Sequence, residues 1–142
     1  MGDIIAVNGL LVAYSIVGVT LFVVSYGVLD LLTPGHLTRI IAEGGAGATA
    51  LAAGQVLGIA AIIAFAMMGQ EASWEGLGTA AIVSLVGVLT QAIGSWVIRL
   101  LFVRVGDVDL PAEMASGKVT TSSAFLAVTA FGLGVVTAVA VH

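Results

Sequence analysis

The chain has 142 residues, 60% of them hydrophobic, with 4 Lys+Arg, 8 Asp+Glu and a net charge of −4. A soluble domain is charged at roughly 25% of its positions. With 8% charged residues and a mean hydropathy of +1.20, this chain cannot cover a water-soluble fold, which excludes a soluble enzyme, a nucleic-acid binder and a disordered segment. It has no cysteine, so disulfides, thiolate metal sites and Cys nucleophiles are excluded as well. The composition is that of an integral membrane protein.

The charges leave four uncharged runs: 26 residues between Asp3 and Asp30, 27 between Glu43 and Glu71, 23 between Glu75 and Arg99, and 24 after Lys118. A helix needs about 20 apolar residues to cross the hydrocarbon core. The pattern predicts an all-α membrane domain over 1–142, with four transmembrane helices at about 9–30, 46–69, 77–101 and 120–140. Stretches such as Ala60-Ala-Ile-Ile-Ala-Phe-Ala-Met-Met68 do not alternate, which excludes the strands of a membrane β-barrel.

Asp3 stands where a signal peptide has its basic region, so the first helix is expected to stay in the mature protein. It leads into a loop with Asp30, His36, Arg39 and Glu43. A metal site needs several ligands at set spacing, and the loop has a single His. The expected role of Asp30 is to bond backbone amides around the Thr33-Pro34-Gly35 turn.

The second helix places Ala46, Ala50, Gly54 and Gly58 at spacing four, and the fourth does the same with Ala130, Gly134 and Ala138. Lipid tails are as apolar as Leu, so close backbone contact through small residues must drive helix association. These residues are the expected packing seam, within one chain or between chains. The loop that follows the second helix holds only the acids Glu71 and Glu75, with Trp74 at the expected headgroup level.

Polar side chains inside the spans form the other candidate set: Gln55, Ser84, Gln91, Ser95 and Thr129. Hydroxyls can bond their own helix backbone, but a Gln amide in lipid needs a partner helix or water. Ser84, Gln91 and Ser95 recur on one helical face, with Gly87 and Gly94 close to it. That face is expected to point away from lipid, either as an interhelical contact or as the lining of a pore. No ionisable residue is expected deep in a span, which speaks against proton relays and ion-coupled transport. The third loop, with Arg104, Asp107, Asp109 and Glu113, is the longest polar stretch and a candidate docking segment for a partner protein.

Orientation follows from the basic residues. Arg39, Arg99, Arg104 and Lys118 lie in or beside the first and third loops. Positive charge marks the cytoplasmic side, so both termini and the second loop are expected outside.

An internal repeat, 1–70 and 76–142, is suggested by laying Leu37-Thr-Arg-Ile-Ile41-Ala42-Glu43-Gly44 on Leu110-Pro-Ala-Glu-Met114-Ala115-Ser116-Gly117. The stretch from Asp30 through Thr33-Pro34-Gly-His-Leu37 and Ile41-Ala-Glu-Gly44, together with Met114-Ala-Ser-Gly117 leading into Ser122–Ala127, resembles the domain of unknown function 350 family. Where family members often carry Asn after the motif glycine, this chain has Gly45 and Lys118. The resemblance covers nearly the whole chain. It implies a small multi-pass protein of the bacterial plasma (inner) membrane built from two helix pairs, in envelope-stress or polyamine-related gene sets beside partner proteins. It implies no catalytic activity.

The functional expectation is a non-catalytic membrane partner or scaffold that forms a homo-oligomer in the lipid bilayer. It would meet a cytosolic or membrane protein through its inner loops and use no cofactor, metal or nucleic acid. The alternative is an oligomeric ion or small-solute channel lined by the Ser/Thr/Gln faces.

Overall fold

The computed structural model describes residues 2–142, with side chains from Ile5 onward. Six helices follow one another: α1 (Gly2–Leu32), α2 (Leu37–Ala42), α3 (Ala46–Met68), α4 (Trp74–Gly106), α5 (Leu110–Ala115) and α6 (Thr121–Val141). No strand occurs among the described residues. The four long helices α1, α3, α4 and α6 are each long and apolar enough to cross a membrane.

The helix ends follow local chemistry. Ser73 caps α4 by accepting from the Gly76 amide at 2.9 Å. Thr120 and Ser123 form a reciprocal capping box at the start of α6, and the Thr120 hydroxyl also donates to the Glu113 carboxylate. Asp109 caps α5, which has a proline in its first turn, where a missing amide costs nothing.

Two of the four long helices, α1 and α4, exceed the expected spans, while α3 and α6 match theirs to within one residue. α1 reaches from Gly2 to Leu32, and α4 runs past Arg99 to Gly106, where Asp107 stops it in the left-handed region at φ 50°. The expected limits were set at charges, and an arginine does not end a helix. The six-residue helices α2 and α5 stand where loops were expected. Six residues are too few to show helical periodicity.

α2 and α5 meet at one end of the bundle, where Leu29, Leu37, Ala48, Leu51, Ala52, Met114 and Leu126 form an apolar cluster. At the other end the Tyr14 hydroxyl donates to the Glu71 carbonyl at 2.9 Å, and Gly69 lies against His142. The first and third connections therefore share one end, and the second lies opposite, beside the C-terminus. α3 is the most buried span, and α1 has only scattered buried positions.

α3 and α6 form the largest interface. A Cβ at Gly54 would run into the Ala127 carbonyl, and one at Gly134 would run into the Gly58 backbone. The seam of Gly54, Gly58, Ala130, Gly134 and Ala138 is thus buried inside one chain. Its lower part differs from the expectation. Ala46 and Ala50 are only partly buried, and Gly47, Ala48 and Leu51 face the core instead. Gly47 is there because its missing side chain admits the Glu113 carbonyl.

Candidate functional site

The polar face expected on the third span points into the bundle. Ser84, Gln91 and Ser95 on α4 are 0%, 1% and 5% exposed, and Gln55 on α3 is 2% exposed. The Gln91 amide nitrogen lies 3.4 Å from both the backbone and side-chain oxygens of Gln55, and 3.2 Å from the Ala130 carbonyl of α6. Three oxygens around one atom identify it as the NH2 group, which fixes the amide orientation. One side chain thereby ties three spans together. Gly58 makes the approach possible, since a Cβ there would occupy the position of the Gln91 nitrogen. The glycine seam and the glutamine pair are one construction.

Thr129 does not join this node. It is partly exposed, and its hydroxyl donates to the Phe125 carbonyl of its own helix at 2.7 Å. A hydroxyl one turn above a free carbonyl lone pair satisfies itself locally. Ser15, Thr20 and Thr90 do the same.

The face also continues where no polar residue was expected. Arg99 lies one turn beyond Ser95 and two beyond Gln91, partly buried, with its Nε–H enclosed and lacking an acceptor. Gln55 Nε2 and Ser95 Oγ are likewise enclosed without partners. The two ion pairs among the described residues, His36–Asp30 and Arg39–Glu43, leave Arg99 out. Gln55, Ser95 and Arg99 line a cleft of about 310 Å³ whose remaining wall is Leu29, Leu32, Leu89, Ala92, Ile93 and Trp96. The signal for Arg99 was in the sequence, because i+4 from Ser95 is the same face. Its use as the marker of a helix end concealed it.

The loop residues sit apart at the α2/α5 end. Asp30 accepts from the Thr38 amide at 2.6 Å and holds His36 at 3.4 Å, so its carboxylate satisfies a first-turn amide of α2 and not the amides of the Thr33-Pro34-Gly35 turn, where its bonds were expected. Arg39 pairs with Glu43 one turn on, at 3.0 Å. Arg104, Asp107 and Asp109 are exposed, and Asp109 accepts weakly from the Ala112 amide at 3.4 Å. These residues are not brought together into one group, and no cluster of three or more metal-ligating side chains occurs among the described residues.

The family model of Domain of Unknown Function (DUF350) matches residues 4–141. The chain belongs to the DUF350 family. Comparison with curated proteins and with solved structures gave no match. In this DUF350 chain, then, chemistry has to be read from the node and the cleft. An amide pair and two serines can hold helices in register. Beside a guanidinium they can also bind an oxyanion, as a carboxylate or phosphate accepts from such donors. They offer neither a nucleophile paired with a base nor a general acid within the cleft.

Proposed function

We propose that this DUF350 protein is a non-catalytic, multi-pass component of the bacterial plasma membrane. It assembles with further copies and presents its α2/α5 end to a partner protein in envelope maintenance. The observation that carries the reading is the Gln91 node. The Gln91 amide nitrogen finds its acceptors, Gln55 and Ala130, inside one chain, which favours a packing role over the lining of an oligomer axis. The charges free to meet a partner, Arg104, Asp107 and Asp109, gather at one end.

The internal repeat supports a tandem origin. The offset that places Leu37 on Leu110 carries α2 onto α5, and brings the bounds of α1 and α3 to within two residues of those of α4 and α6. The same offset sets Leu11, Gly18, Phe22 and Tyr26 opposite Ser84, Gln91, Ser95 and Arg99, so the polar face belongs to the second half alone. Arg39, Arg104 and Lys118 near the α2/α5 end support a cytoplasmic position for that end, with outward termini.

The test is electrical. Purified protein reconstituted in a planar bilayer is expected to be silent. Single-channel steps that change size in Gln91→Leu would replace this reading with the channel.

A further inference from the structure

We propose that the cleft beside Arg99 binds the anionic headgroup of a membrane lipid. Three of the residues that line it each carry an enclosed donor without an acceptor: Arg99 Nε–H, the Gln55 amide and the Ser95 hydroxyl. Gln55 and Ser95 are more than nine-tenths buried. No carboxylate lines the cleft, so its charge is uncompensated and positive. Such a donor set fits the oxygens of a phosphate or carboxylate, through charge-assisted bonds.

The depth selects a lipid over a free anion. Gln91 touches Gln55, and α3 and α4 run antiparallel there, since Gly87 meets Ile62 farther along. Going from that contact toward α2 and α5, Arg99 lies eight residues on and Ala46, the first residue of α3, lies nine residues back. At 1.5 Å per residue both are about 12–14 Å from the node, so Arg99 is level with the first turn of α3. α3 has 23 residues and so spans about 34 Å, close to the hydrocarbon thickness of about 30 Å. Arg99 therefore lies where the headgroup region begins. The cleft opens past Ile93 and Trp96, which are 63% and 61% exposed toward the lipid. Its walls of Leu, Ala and Ile suit the first methylenes of an acyl chain. A zwitterionic head would bring an ammonium with no acid to receive it, so the site favours lipids of net negative charge.

Trp96 reports on its own cleft. Trp74→Phe leaves it as the sole tryptophan, since the chain has two. In mixed micelles of the full chain, brominated phosphatidylglycerol is expected to quench Trp96 at roughly a tenth of the mole fraction that brominated phosphatidylcholine needs, the ratio of one hydrogen bond to a charged group. Arg99→Gln removes this preference, and Arg99→Lys keeps part of it. If Arg99→Gln does not fold, Ser95→Ala serves the same purpose, with about a threefold loss. Equal quenching by the two lipids would overturn the proposal, as would a preference that survives Arg99→Gln in full or is undiminished in Ser95→Ala. Reversal by inorganic phosphate as effective as reversal by unlabelled phosphatidylglycerol would overturn the lipid assignment in favour of a free anion.

Discussion

Replacing the chain's glycines by alanine separates the seam from the rest of the molecule. A Cβ at Gly54 would fall on the Ala127 carbonyl, and one at Gly134 on the Gly58 backbone; both obstacles are main chain and cannot rotate away. At Gly58 the first obstacle is the Gln91 amide, a side-chain end, with the Gly134 Cα at 3.1 Å behind it. At Gly78 and Gly132, within α4 and α6, nothing lies within 4 Å. Alanine gains up to about 1 kcal/mol over glycine in a helix interior, and overpacking a tight contact costs about 1–3 kcal/mol. Gly54→Ala and Gly134→Ala should therefore lose about 1–2 kcal/mol net. Gly58→Ala should lose a similar amount, because displacing Gln91 also forfeits its bonds, worth about 1 kcal/mol in a membrane. Gly78→Ala and Gly132→Ala should be neutral or slightly more stable. Reversible unfolding in mixed micelles on addition of sodium dodecyl sulfate, followed by circular dichroism, gives the order. If Gly54→Ala and Gly132→Ala unfold at the same detergent fraction, the α3–α6 crossing is not where the structure puts it.

Gln91→Leu should destabilise the bundle by about 1 kcal/mol, and a double-mutant cycle with Gln55→Leu should give a coupling of about 0.5–1 kcal/mol in the same assay. Asp30→Ala removes the acceptor of the Thr38 amide; a lost cap costs about 1 kcal/mol, and amide exchange at Thr38 should accelerate while exchange in α6 is unchanged. The chain has no native cysteine, so Glu71→Cys and Asp107→Cys can be labelled singly in sealed vesicles. They should react from opposite sides, Asp107→Cys from the cytoplasmic one.

The four spans were legible because membrane helices are read from uninterrupted apolar length, and charge alone marked their limits. The same rule misplaced the end of the third span. An aliphatic arginine stem packs along a helix surface while its head reaches toward the interface, so Arg99 interrupts the composition without interrupting α4. The inward direction of Ser84, Gln91 and Ser95 was legible from spacing, since three polar groups recurring on one helical face cannot all face hydrocarbon without partners. Which helix receives Gln91 was not. That depends on Gly58 lying against Gly134, a pairing between distant residues that no local pattern records. Thr129 shows the same limit in reverse: it belonged with Gln55 among the polar residues of the spans, but a hydroxyl can satisfy itself on its own helix and an amide cannot.

The central claim is that Gln91 is bonded to α3 and α6 of its own chain. Magic-angle-spinning NMR in lipid can observe this directly, through a correlation between the Gln91 side-chain 15N and the Ala130 carbonyl 13C, 3.2 Å apart between nitrogen and oxygen. With labelled chains diluted into unlabelled ones, the account predicts a cross-peak that keeps its full intensity per labelled chain. A peak that fades in proportion to dilution would place the contact between chains, at an oligomer axis, and contradict it.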